Sequence, residues 1–91
     1  MTLNLKDNPV AHRFEAEIDG STAFVTYQRK PGTIVLVHTE VPKALSGQGI
    51  GSKLARAVLE KVRTEGAKVD AQCEFIAGYM EKHPEFNDLR N

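Results

Sequence analysis

Between the apolar run Ile34–Val37 and a helical repeat that opens at Ile50 lies the stretch Ser46-Gly47-Gln48-Gly49-Ile50-Gly51. Three glycines spaced two apart limit what can be built there more than any other feature of the chain. Glycine accepts left-handed backbone and lets a neighbour approach without a Cβ in the way. The helix that starts among them has first-turn N–H groups with no internal acceptor, and its dipole adds partial positive charge at the same place. An apolar strand, a glycine turn and a helix start in this order make an anion site, most often for phosphate. The competing reading is a tight turn that needs glycine only for its dihedrals.

The pattern on either side completes a fold. Phe14, Ala16 and Ile18 alternate with Arg13, Glu15 and Glu17, which predicts a half-buried strand over Ala11–Ile18. Asp19-Gly20 is a hairpin turn signal. Thr22–Arg29 is a second strand, with Ala23, Val25 and Tyr27 on one face. Lys30-Pro31-Gly32 turns into a third, Thr33–Val41, whose unbroken Ile34–Val37 run calls for cover on both faces. Ile50, Leu54, Val58 and Val62, with Ala55 and Leu59 beside them, describe an amphipathic helix of about 17 residues, and Gly66 suits its C-terminal cap. Lys68–Cys73 is a fourth strand, and Glu74–His83 is a second helix striped by Phe75, Ile76, Tyr79 and Met80 and stopped by Pro84. Residues 1–10 read as a loose lead-in and Glu85–Asn91 as a short tail. A helix crossing between the third and fourth strands sets those two side by side and parallel, with a right-handed connection. The expected class is therefore α+β (α/β): a mixed sheet in the order β-β-β-α-β-α, an antiparallel meander with one parallel pair, in a single domain of residues 1–91.

Two familiar phosphate loops fail here. A P-loop places Lys and then a hydroxyl after its last glycine, whereas Gly51-Ser52-Lys53 reverses them. A dinucleotide fingerprint needs Gly-x-Gly-x-x-Gly directly after a strand; here the third glycine comes one residue early, several residues beyond the strand. The sequence fits better the acyl-CoA loop Gln/Arg-x-x-Gly-x-Gly/Ala, departing from it at Ser46. Together with His38-Thr39-Glu40-Val41 before the loop and Cys73 after the next strand, the chain resembles the small single-domain GNAT-like acetyltransferases of the YjdJ type, from about His12 to Arg90. The resemblance implies that Thr33–Val41 and Lys68–Cys73 splay apart at one end and that acetyl-CoA (coenzyme A) lies in the gap.

The same resemblance implies roles. The amides of Gln48, Gly49, Ile50, Gly51 and Ser52 would face the pyrophosphate, with Gly47 keeping the loop open and Ser46 offering a hydroxyl. The pantetheine arm would pair with the strand end His38, Thr39 and Val41. Glu40 is the candidate general base that frees an amine to attack a thioester. His38, two residues away and on the same face, would tune Glu40 or activate Cys73. Thr39, on the opposite face, reads as structural. Cys73 is a candidate acyl-accepting nucleophile, because a thiolate is favoured at a helix N-terminus; a buried free cysteine also serves as a small hydrophobe. Lys53 and Arg56 read as a solvated helix face, Tyr79 as core, His83 as a helix C-terminal cation and His12 as unpartnered. No spacing suggests a metal site.

Composition narrows the function. With 12 basic and 12 acidic residues the net charge is zero, which argues against a dedicated nucleic-acid binder. No apolar run approaches the roughly 20 residues of a membrane helix, and the first residues carry no signal-peptide core. The one cysteine forms no internal disulfide, consistent with a reducing cytoplasm. The expectation is a cytoplasmic N-acetyltransferase, monomer or weak homodimer, that transfers acetyl from acetyl-CoA to an amine on a small molecule or a protein lysine. The alternatives are a non-catalytic acyl-CoA binding or sensing module and a small protein-interaction domain.

Overall fold

The computed structural model describes residues 3–90; positions 1, 2 and 91 of the expected lead-in and tail lie outside them. Five strands form one sheet in chain order: β1 (Leu5–Asn8), β2 (Arg13–Ile18), β3 (Ser21–Lys30), β4 (Thr33–Glu40) and β5 (Lys68–Ala71). Helix α1 (Ile50–Thr64) crosses from β4 to β5, and α2 (Glu74–Lys82) follows β5. Strands β1 to β4 are antiparallel neighbours, and β4 and β5 are parallel. The mixed sheet with its meander and single parallel pair is the architecture expected from the sequence.

One face of the sheet carries Phe14, Ala16, Ala23, Val25, Tyr27, Ile34 and Leu36 into a single cluster with Leu54, Val58 and Val62 of α1 and Ile76 and Met80 of α2. The other face presents Glu15, Glu17, Thr22, Phe24 and Thr26, none of them buried. Ile34, Val35 and Leu36 are all buried, as an unbroken apolar run demands. Val37 is not. The register shifts between Thr26 and Tyr27, which pair with His38 and Leu36, so Val37 is the extra residue of a bulge and stands 38% exposed. A bulge re-aims every side chain beyond it.

The expected lead-in is a strand. β1 pairs with β2 from Leu5↔Ala16 to Asn8↔Arg13, and Leu3 and Leu5 pack against the core. Its inward alternation is masked by Asp7, a polar residue at an inward position. Asp7 accepts a hydrogen bond from the Tyr27 hydroxyl and another from Arg29 at 3.0 Å, and Arg29 also reaches Glu65 at 2.9 Å. Burial, helped by the bond to Asp7, raises the Tyr27 phenol above its ordinary pKa.

The expected tail is also ordered. Pro84–Leu89 forms a 3₁₀ segment, in which residues three apart eclipse one another, so Phe86 and Leu89 are buried together. Arg56 reaches Glu85 at 2.6 Å and Arg63 reaches Asp88 at 2.6 Å, and both guanidinium groups lie over the Phe86 ring. Residue Arg90 then bridges Val69 at the outer edge of β5.

Candidate functional site

The parallel pair β4–β5 runs from Thr33↔Lys68 to Leu36↔Ala71 and stops. Both Gln72 and Cys73 donate their amides to the Leu36 carbonyl, at 3.0 and 2.9 Å. The chain has nowhere further to pair and turns into α2, so β5 ends at Ala71 and not at the expected Cys73. Beyond Leu36, β4 continues through Glu40 against β3 alone. Its other edge is open, and this is the splayed end of the sheet.

The glycine loop stands at the mouth of that opening. Pro42 ends the strand, and Lys43–Leu45 makes one 3₁₀ turn that buries Leu45. Gly47 and Gly49 then take φ of 81° and 70°, a region costly for any residue with a Cβ. Gly49 is the N-cap of α1, and no side chain caps the helix start. Lys53 donates to the Gly49 carbonyl at 3.2 Å, so the amides of Ile50, Gly51 and Ser52 precede the first intrahelical bond. The first turn holds no acidic residue, and nothing lies within 4 Å of where a Cβ would stand on Gly47 or Gly49. A shallow depression of about 310 Å³ follows the loop from Val41 and Leu45 to Ser52 and Phe75. The residues fit a phosphate group: free backbone donors, no competing carboxylate in the first turn and no side chain in the approach.

Gly51 is constrained differently. A Cβ there would meet Cζ of Phe75 at 2.8 Å. The Phe75 ring, 43% exposed, lies against the first turn of α1 although the residue belongs to α2. Phe75 is expected in the core stripe of α2, but one residue after the helix start it is turned toward the loop instead.

Ser46 does not offer its proton to a ligand, because its hydroxyl donates to the Lys43 carbonyl at 2.8 Å. Arg56 is committed to Glu85. Gln48 is exposed in the loop.

The bulge at Val37 decides how the strand-end residues divide. Thr39 pairs with Val25, whose side chain is in the core, while His38 and Glu40 pair with Thr26 and Phe24 of the other face. Cross-strand partners share a face. Thr39 therefore turns toward the helices, where its hydroxyl lies 3.2 Å from the Cys73 thiol. His38 and Glu40 turn away, 3.4 Å apart and 59% and 55% exposed. His38 meets Glu40 and not Cys73; the neighbour of the thiol is Thr39, expected from its position on the opposite face to be structural. Cys73 itself is 8% exposed and is the N-cap of α2, with extended backbone and no side-chain cap bond.

The remaining histidines have local explanations. His83 lies at the end of α2, stacked on Tyr79 with ring centroids 3.8 Å apart, its Nδ1 at 2.8 Å from the Tyr79 carbonyl. His12 sits in the turn before β2 at φ 54°. Among the described residues no group of three or more His, Cys, Asp or Glu converges as a metal site would require, and no helix is long and apolar enough to cross a membrane.

An antiparallel meander, one parallel pair that parts at a single end, and a glycine-rich helix start beside the parting define the GNAT fold. The fold is shared with the solution NMR structure of a GCN5-like protein from Staphylococcus aureus, with a TM-score of 0.73 and 31% identity over 99% of this chain and 89% of that one. The profile of the GCN5-related N-acetyl-transferases matches residues 13–89, and the chain belongs to that family. Protein NATD1 of Mus musculus is 36% identical over 79% of this chain and 68% of its own length. Protein NATD1 of Xenopus tropicalis is 40% identical over 57% of the chain and 48% of its own length, and that of Homo sapiens 43% over 54% and 43%. Apart from the mouse protein, the matches span about half or less of these relatives.

Proposed function

We propose that this chain is an acetyl-CoA-dependent N-acetyltransferase. The observation that carries the proposal is the gap between β4 and β5, with the glycine loop at its mouth and the Thr39–Cys73 pair at its inner wall. Backbone amides from Gln48 to Ser52 hold the pyrophosphate. The unpaired edge of β4 from His38 to Val41 accepts the pantetheine arm as an added strand. The thioester then lies where the two strands part, within reach of both sheet faces.

Glu40, hydrogen-bonded to His38 on the solvent face, takes the proton of the incoming ammonium directly or through a water. The free amine attacks the thioester carbonyl, the C–S bond breaks, and the CoA sulfur leaves with a proton. The acceptor is an amine on a small molecule or an exposed lysine, since Glu40 stands 55% exposed. In a second route Cys73 attacks first, forming an acetyl-cysteine and releasing CoA, and the amine then attacks that thioester. The Thr39 hydroxyl is placed to hydrogen-bond the thiolate of this route. The low exposure of Cys73 favours the direct route.

Intact-protein mass after incubation with acetyl-CoA, beside a calorimetric titration of CoA, tests the reading. Binding with one added acetyl group that disappears in Cys73→Ala supports the covalent route. Binding with no adduct, and transfer to an amine in a substrate screen, supports the direct one. Binding without any transfer leaves an acyl-CoA sensing module. No binding at millimolar CoA, about 4 kcal/mol of affinity, overturns the cofactor reading and leaves an interaction domain.

A further inference from the structure

The sheet face turned away from the helices carries polar groups that the fold does not use. Lys6, Glu15, Phe24 and Glu40 pair in succession across β1, β2, β3 and β4, so they form one row on that face. Glu17 and Thr22 are partners in an adjoining row. A depression of about 310 Å³ spans the two rows, lined by Asn4, Lys6, Glu15, Glu17 and Thr22. Phe24 separates it from Glu40, the base of the proposed reaction.

The charges of the depression are of two kinds. Glu15 is already satisfied: Arg13 donates to it at 2.7 Å and the Asn8 amide at 3.4 Å. The same Arg13 guanidinium lies 4.3 Å from the centroid of the Phe24 ring. Lys6 and Glu17, by contrast, have no hydrogen-bond or ion-pair partner among the described residues. One free ammonium and one free carboxylate, with the Thr22 hydroxyl and the Asn4 amide beside them, complement a zwitterion. A polyamine would set a cation against Lys6, and a lysine inside a peptide has no charges at its α-carbon to offer. Strands about 4.8 Å apart and a rise of about 3.4 Å per residue put the Cα atoms of Glu17 and Glu40 about 12 Å apart. Allowing for the length of two glutamate side chains, that leaves the span between the two amines of lysine or ornithine.

We infer that the acceptor is a free α,ω-diamino acid of the lysine or ornithine class. Its α-carboxylate lies at Lys6, its α-ammonium at Glu17, and its side chain passes Phe24 to bring the second amine to Glu40. The inference rests on the acetyltransferase reading and narrows it to a small-molecule acceptor. Glu40 takes one proton from the side-chain ammonium. The amine nitrogen then bonds to the thioester carbonyl carbon as the C–S bond breaks, and a second proton from nitrogen leaves with the CoA sulfur as the thiol.

Amide NMR of the full chain titrated with L-lysine alone reads the binding. Shifts are expected at Lys6, Glu15, Glu17, Thr22, Phe24 and Glu40, and not from Gly47 to Ser52. Transfer from acetyl-CoA to L-lysine, cadaverine, Nα-acetyl-lysine and a lysine-containing peptide is followed by thiol release and product mass. Cadaverine lacks only the carboxylate and Nα-acetyl-lysine only the α-ammonium. Lysine is expected to lead in kcat/KM by about two- to fivefold for each charge removed, a lead that shrinks in high salt. Lys6→Gln abolishes the lead over cadaverine and keeps that over Nα-acetyl-lysine, and Glu17→Gln does the reverse. Misfolding would depress every acceptor alike, so opposite patterns exclude it. No shift at about 10 mM lysine, well above half-saturation of a millimolar site, overturns the assignment. So does transfer to the peptide as fast as to lysine, which leaves the acetyltransferase reading standing. If CoA binds and no acceptor is acetylated, the acetyltransferase reading falls and this one with it.

Discussion

The two ends of the β4–β5 pair are built on opposite principles. At one end, Thr33–Leu36 is fully paired with Lys68–Ala71, and the C-terminal 3₁₀ segment is fastened over it by Arg56–Glu85, Arg63–Asp88 and the Lys68 ammonium on the Asp88 carbonyl at 2.6 Å. At the other end, Val37–Glu40 pairs with β3 on one side, the loop turns on glycines, and the hydrogen-bonded side chains of His38 and Glu40 are both more than half exposed. Stability is concentrated where the sheet is closed, and the unspent backbone donors, the thiol and the carboxylate collect where it is open. Proteins commonly draw binding elements from their less stable parts.

If that division holds, substitutions at the two ends have different signatures. The largest effect is expected from Phe86→Ala, which empties a fully buried site beneath Arg56 and Arg63. A loss of about 3–5 kcal/mol is expected in urea denaturation, with CoA affinity of the folded fraction unchanged. A matching loss of affinity would break the distinction. Gly49→Val forces a branched side chain to φ 70°, at a cost of about 1–2 kcal/mol. Because the strain falls on the loop itself, CoA binding is expected to weaken with it in a titration.

Thr39→Val keeps the shape and removes the hydroxyl beside Cys73. Stability should change by about 1 kcal/mol or less, while acetylation of Cys73 or transfer to an amine slows about fivefold; an unchanged rate would assign Thr39 to structure alone. The smallest effects belong to the fastening charges. Arg63→Ala is expected to cost under about 1 kcal/mol, less in high salt. The Arg63 guanidinium holds the Asp88 carboxyl below its ordinary pKa, and Glu85 is lowered by a backbone amide and by Arg56. A carboxylate with a depressed folded pKa contributes stability that is present above its unfolded pKa, near 3.8 for Asp88, and is lost as pH falls through the folded value. Acid titration followed by NMR should therefore loosen Pro84–Leu89 before the loop.

How far the site can be read from sequence follows the same line. Strands β2 to β4, both helices and the parallel pair are legible because their apolar residues recur with period two or near four. β1 hides because Asp7 takes an inward position, and Phe86 with Leu89 is too short a signal to mark a docked segment. The loop is legible because only glycine suits Gly47 and Gly49. The face of each catalytic candidate is not: one extra residue, Val37, inverts the alternation, puts Thr39 beside Cys73 and sends His38 and Glu40 to solvent. Nothing in the run Ile34–Glu40 distinguishes Val37 as the bulged residue. Phe75 hides for a similar reason, since a helical stripe does not tell a core ring from one lying over a neighbouring glycine.

The division between a closed and an open end is tested most directly by two-dimensional amide NMR during titration with CoA. The shifts expected lie at Gly47 to Ser52, at Val37 to Glu40 and at Cys73 to Phe75, while Thr33 to Leu36, Lys68 to Ala71 and Pro84 to Leu89 stay in place. Shifts centred on the closed end, or an unchanged spectrum at millimolar CoA, would contradict it.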